Sequence, residues 1–165
     1  MYSNGKNTLI CEGYNPEVVS SIKRLYKLYK NQPKDHVKEL QGLSVSEQTQ
    51  RLFDYFVNEA KVRYKEDTGY VQNIKIPARL IREKVGDCKS FAMYFCCCLH
   101  CLGVPHKFRF VNFDGSPYYS HVYAVAIDEN NNEIILDAVE RDKNGKPIYN
   151  YARPYARKLD VTYYE

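Results

Sequence analysis

Tryptophan is missing from this 165-residue chain, methionine occurs only twice, and neither sign of charge dominates: 24 Lys and Arg against 20 Asp and Glu leave a net charge of +4. That surplus falls well short of the dense basic clustering of a dedicated nucleic-acid binder. Nucleic-acid binding through the basic C-terminal stretch therefore ranks last among the functions weighed, and it predicts an affinity that falls steeply with salt. No run approaches the roughly 18 apolar residues that span a bilayer, and the start MYSNGKNTLICEGYNPE lacks a cationic stretch followed by an apolar one, so neither a membrane span nor export is expected. Internal repeats are also missing. Five of the six cysteines crowd between Cys88 and Cys101, three of them consecutive, which no disulfide framework can use. A reducing compartment, the cytoplasm of the producing cell, is the expected place of folding. Structural zinc uses two separated pairs of ligands, and Cys96, Cys97, Cys98, His100 and Cys101 have no second pair, so no metal site is expected.

What is present is an aromatic set weighted toward tyrosine, 16 Tyr beside 7 Phe, within a 44% hydrophobic share. Tyrosine suits half-buried surfaces and interfaces. A chain of this length is expected to form one core, burying about two-thirds of its unfolded surface. Asn15 before Pro16 has the form of a helix N-cap, and Val18, Val19, Ile22, Leu25, Tyr26 and Tyr29 recur at helical spacing, with Lys23, Arg24, Lys27 and Lys30 on the solvated face. A short helix is expected from Pro33 to Leu40, closed by Gly42. Ser44 with Glu47 reads as a capping box that opens a second long helix; its buried stripe is Leu52, Phe53, Phe56, Val57, Ala60 and Tyr64, and Asp67, Thr68 and Gly69 stop it. From Tyr70 to Lys84 no period holds, and a loop with one helical turn is expected. An apolar helix then runs from Cys88 to Leu102, ahead of Gly103. Three strands follow, His106 to Phe113, Ser120 to Ile127 and Glu133 to Val139, the last two joined by the turn-rich residues 128–132. The remainder, PIYNYARPYARKLDVTYYE, mixes Tyr and Arg without a period, the bias of interface cores. The expected division is a domain over 1–145, with N-terminal helices over 15–65 and a core over 70–139, and a Tyr/Arg-rich tail over 146–165.

Chemistry concentrates at the start of the 88–102 helix. The first-turn N–H groups lack helical partners and the macrodipole is positive there; both favour the thiolate of Cys88, and Lys84 and Lys89 are close in sequence. Asp87 either opposes the thiolate as a like charge or caps the helix, and the sequence leaves that sign open. A nucleophilic thiol needs a base, and the base needs a third group to orient it. Alternation in SHVYAVAI sets His121, Tyr123, Val125 and Ile127 on one face. If the hairpin tip lies near Asn130, Asp137 falls diagonally across from His121, within side-chain reach. Cys88, His121 and Asp137 are thus the candidate nucleophile, base and orienting carboxylate. Tyr119 and Tyr123 flank the base and are candidates for substrate contact, with ordinary packing equally open. His36 and His106 read as surface histidines without a partner in sequence.

The run GDCKSFAMYFCCCLHCLGV, followed by SHVYAVAI and IILDAV, resembles the transglutaminase-like superfamily of papain-fold thiol enzymes over about Gln72 to Val139. In that family a Cys at a helix start, a His on a strand and an Asp on the next strand come in this order, and Cys88, His121 and Asp137 fall on those positions. The stretch QNIKIPARLIREKVGDCKSFA further resembles small transglutaminase-like proteins of bacteria and bacteriophages. One departure stands out: many members carry an acidic residue soon after the nucleophile, whereas Lys89 and Ser90 stand here. The family takes an oxyanion donor from upstream of the nucleophile, which points to Gln72, the alternative being a loop-stabilising amide. The resemblance implies an α+β, papain-like fold with N-terminal helices and the nucleophile helix packed on an antiparallel sheet. It implies a cysteine hydrolase or acyltransferase acting on peptide or amide bonds through a thioester, without a cofactor, with hydrolysis preferred over amine cross-linking. The alternative is a structural or assembly protein, such as a bacteriophage virion component, that keeps the fold and binds protein partners through the 146–165 tail.

Overall fold

The computed structural model describes residues 2–3, 8–10, 16–67 and 71–162, with side chains at 16–67 and 73–162. It is an α+β fold built around one helix. Helix α4 (Cys88–Cys101) buries every residue from Cys88 to Leu99, as expected of a helix that is apolar all round. Helices α1 (Pro16–Tyr29), α2 (Val45–Asp54) and α3 (Pro77–Glu83) belong to the same assembly. Strands β6 (His106–Asn112), β7 (His121–Ile127), β8 (Glu133–Leu136) and β9 (Arg157–Val161) form an antiparallel sheet in the order β8-β7-β6-β9. Period-2 alternation divides its residues. Phe108, Phe110, Val122, Ala124, Ala126, Ile134 and Leu136 join the core that contains α4, while Val111, Tyr123 and Val125 form a second, smaller cluster.

Short strands complete the frame. β1 (Tyr2–Ser3), β2 (Thr8–Ile10) and β4 (Val71–Asn73) make a three-stranded antiparallel sheet, and β3 (Arg63–Tyr64) pairs in parallel with β5 (Val85–Gly86).

The apolar stripe of α1 packs as the period predicts, with Val18, Ile22, Leu25 and Tyr26 buried; the proposed Asn15 cap lies outside the described residues. Ser44 caps α2 through Glu47 N. Gly103 has φ +70°, and Val104 N bonds Leu99 O at 3.0 Å, the 6→1 bond of a Schellman ending.

Four expectations are corrected. The stretch after Pro33 is turns with a 3-10 segment at Lys38–Leu40 rather than a continuous helix. The second long helix ends much earlier than Asp67: α2 passes into a π-helical turn at Tyr55–Glu59, and Lys61 adopts φ +52°. Tyr64 is consequently a strand residue. The cause is long-range, because Arg63 N bonds Lys84 O at 3.0 Å and Lys65 N bonds Gly86 O at 2.9 Å, drawing the chain into pairing with β5. The 70–84 stretch holds a strand and a seven-residue helix rather than a loop with one turn; Pro77 starts α3 at its first position, with Ile76 extended before it. Finally, the stretch set apart as a tail contributes β9 to the main sheet, with Phe110 opposite Leu159.

Candidate active site

Cys88 is the first residue of α4, and Asp87 is its N-cap. The carboxylate of Asp87 accepts from Lys89 N at 3.1 Å and from Ser90 N at 3.4 Å, so the cap role is the one realised. The turn into the helix is tight. A Cβ on Gly86 would lie 2.7 Å from Leu80 Cδ1 and 3.2 Å from Ser90 Cβ, so a larger residue would force Leu80 to shift where β5 runs close to α3 and α4. Ser90 ties the first turn of α4 to β4: its hydroxyl accepts from Lys75 N at 2.9 Å and donates to Asn73 O at 3.4 Å.

His121 opens β7. Its Nε2 lies 2.7 Å from Asp137 Oδ2, and its ring hydrogen-bonds Cys88. With Nε2 taken by the carboxylate, Nδ1 is the nitrogen left for the sulfur. Burial works against charge on the ring, but the bonds to Asp137 and Cys88 and the charge on Cys88 outweigh it and push His121 up to about 10. All three residues are buried, at 3%, 6% and 3% exposure for Cys88, His121 and Asp137. Phe113 stacks on the imidazole with ring centres 5.9 Å apart, and the Arg153 guanidinium lies over Phe113 at 4.2 Å.

Beside the thiol sits a second, separate charge cluster. The Lys89 ammonium pairs with Asp87 and stands 3.4 Å from Asp67 Oδ2, with the Lys89 side chain only 2% exposed. Burial, together with the nearby Asp67, pushes Asp87 up to about 6 against the pull of Lys89. A cleft of about 430 Å³, lined by Lys65, Glu66, Asp67, Asn73, Lys75, Val85 and Gly86, flanks the approach to this segment. A larger cleft of about 510 Å³ lies between the Lys38–Leu40 turn and α2 and contains none of the three residues.

Residues 34–138 match the model of the transglutaminase-like superfamily. The chain belongs to that superfamily. Among solved structures, calcium-bound LapG of Legionella pneumophila is similar, at 19% identity and a TM-score of 0.56, with 87% of this chain and 83% of that one covered. The EGTA-treated form of LapG gives 18% and 0.56, covering 93% and 84%. A candidate cysteine protease from Cytophaga hutchinsonii gives 17% and 0.53, covering 94% of this chain and 60% of that one. At these identities the likeness is one of fold. Among curated proteins none matches.

The transglutaminase-like fold thus brings Cys88, His121 and Asp137 together. Gln72 lies on β4, opposite Leu9, and its side chain is outside the described residues. Tyr123 is 2% exposed, packed with Val111 and Val125, and its ring centre lies 5.7 Å from that of His121. Tyr119 is partly buried, its ring 6.4 Å from Phe110 and under Arg157. The lysines named beside Cys88 are engaged elsewhere: Lys84 Nζ donates to Ala60 O at 3.0 Å, and Lys89 turns to its carboxylates. His106 is not a surface histidine. It is buried between Val104 O and the Tyr26 hydroxyl, both at 2.7 Å, which suits a neutral ring donating from Nδ1 and accepting at Nε2. His36 is exposed as expected but has a partner, the Tyr94 hydroxyl at 2.7 Å.

Two neighbours of the thiol went unread in the sequence. Tyr64, placed on a helical stripe, pairs across from Gly86, and its ring meets Phe91 at 6.0 Å. Burial, then the charge on Cys88, pushes its phenol up. Asp67, read as a helix stop, is the second carboxylate of the Lys89 cluster. Acidic character at 67 and 87 was visible, but nothing local says that they converge.

Proposed function

We propose that this protein is a thiol acyl-transfer enzyme that hydrolyses peptide or amide bonds through a thioester on Cys88. The observation that carries the reading is the chain of hydrogen bonds from Cys88 through His121 to Asp137 at the positive end of α4. Cys88 Sγ attacks the carbonyl carbon, and the charge that develops on oxygen is stabilised near the helix N-terminus. As the C–N bond breaks, the His121 imidazolium gives its proton to the departing amine. Asp137 holds the ring through Nε2 and offsets its charge. Water then attacks the thioester with His121 as base, releasing the acid and restoring the thiolate–imidazolium pair. Gln72 is assigned to the oxyanion: Asn73, the next residue on β4, bonds the first turn of α4.

A p-nitrophenyl ester tests the reading without knowledge of the natural substrate. The expected result is a burst of nitrophenolate equal to one acyl group per chain, with the acyl group mapped to Cys88 by mass spectrometry and lost in Cys88→Ser. A burst that survives Cys88→Ser, or an acyl group on another residue, overturns it. Hydroxylamine added during turnover separates the two outcomes: hydroxamate formation measures how far an amine competes with water.

A further inference from the structure

Two carboxylates and one ammonium meet in the segment that carries the thiol, the ammonium and Asp87 buried and Asp67 partly exposed at 20%. Asp87 caps α4 with Oδ1 and pairs with Lys89 Nζ through Oδ2. Asp67, arriving from the segment after β3, stands 3.4 Å from the same Nζ and also accepts from Asn73 N. The side chains of Lys89 and Asp87 are 2% and 5% exposed. A lysine in the first turn of a helix has the length to reach solvent, and burying its ammonium costs several kcal/mol unless it is well paired. Here it folds back onto the cap instead.

Two converging carboxylates with nothing between them repel, and each disfavours ionisation of the other. A hard divalent cation with oxygen ligands is one general remedy. The residues present do not fit that remedy: the ammonium holds both carboxylates, and among the described residues no group of three or more His, Cys, Asp or Glu could hold a metal ion. We infer that Lys89 is a built-in counter-cation and positioning residue, which holds the Asp87 carboxylate in its capping pose and so fixes the backbone that aims Cys88 at His121, with no added divalent cation required. The cluster joins three pieces of chain, the segment after β3, the end of β4 and the first turn of α4, so a single charge sets the approach to the thiol.

The inference rests on Cys88 being the nucleophile, and its test keeps the two claims apart. Iodoacetamide labelling of Cys88 is followed by peptide mass mapping across pH, with CaCl2 or EDTA, in the full chain and in Lys89→Met. The wild type is expected to change by less than about 2-fold with either additive, while Lys89→Met, its fold checked by circular dichroism, labels Cys88 about 10-fold more slowly and with a displaced pH profile. A folded Lys89→Met with the wild-type rate and profile overturns the inference, as does a wild type that needs CaCl2 or is slowed by EDTA. Should Lys89→Met not fold, Asp67→Asn is read in the same way: a displaced profile supports the inference and an unchanged one overturns it. Absence of Cys88 labelling in the wild type sinks the nucleophile reading and this inference with it. Intact wild-type labelling beside an indifferent Lys89→Met counts against Lys89 alone.

Discussion

His121 and Asp137 meet on a diagonal between neighbouring strands. The β7–β8 ladder sets Ala124 opposite Leu136, and its continuation would set Asp137 opposite Tyr123, yet the carboxylate reaches back to His121 Nε2 at 2.7 Å. Diagonal neighbours of this kind are within reach of long side chains, and here the offset leaves the other ring nitrogen for the sulfur.

Asp137→Asn keeps the shape of that contact and removes its charge. The burst rate with a p-nitrophenyl ester is expected to fall by about 10²- to 10⁴-fold, the range for loss of an oriented base, with the circular dichroism spectrum retained. A fall of less than about 3-fold would mean that Asp137 orients nothing that matters to acylation.

Stability should carry the signature of His121. Its value is raised from 6.5 to about 10, so the proton is bound more tightly in the folded chain than in the unfolded one. The resulting stabilisation is full below 6.5 and is lost as pH rises through about 10. Thermal unfolding of wild type and His121→Gln, compared from about pH 6 to about pH 11, should show the wild-type advantage shrinking with pH. A difference that stays constant, or grows, contradicts the ion-pair description.

Gly86→Ala probes the tight passage into α4. The new methyl would meet Leu80 Cδ1 at 2.7 Å and Ser90 Cβ at 3.2 Å, so the fully buried Leu80 side chain must shift to admit it. Overpacking of this kind costs about 1–3 kcal/mol. Urea unfolding should reveal it, together with slower Cys88 labelling because the helix start is displaced.

Arg109 offers the control. Its guanidinium is buried between Glu133 and Asp160, with contacts of 2.7 Å to each, and it pairs with neither Cys88 nor Asp137. Removal of one buried partner costs about 3–5 kcal/mol, and the part-exposed carboxylates reduce this to about 2 kcal/mol. Arg109→Met should therefore lower stability in urea while leaving the rate of Cys88 labelling unchanged, whereas a parallel loss of labelling would tie the network to the site.

Legibility in the sequence followed the range of the interactions. Helix α4, its glycine ending and strands β6 to β8 were readable because apolar period, caps and turn residues are local signals. The hairpin pivot at Asn130 was enough to bring Asp137 to His121. Tyr64 was misread because its helical spacing is real but the parallel bonds to Lys84 and Gly86 override it. β9 was missed because its apolar face is only Leu159 and Val161, set among Arg157, Lys158 and Asp160; what holds the strand is the ladder to β6, Val161 against the core and the Asp160–Arg109 pair. His106 looked exposed beside Pro105 because its partner, Tyr26, is 80 residues away. Lys89 was the subtlest case, since a first-turn lysine ordinarily points to water and its burial depends on Asp67 arriving from another segment.

The most direct test of the account is the relative rate at which iodoacetamide labels each cysteine at about pH 6, where ordinary thiols are almost wholly protonated. Burial pushes Cys96, Cys97, Cys98 and Cys101 up, which leaves them poor competitors. Cys88 should be labelled at least about 10-fold ahead of Cys96, Cys97, Cys98 and Cys101, and His121→Ala should abolish that lead. Labelling that reaches Cys88 no sooner than the core thiols, or that is indifferent to His121→Ala, would contradict the account.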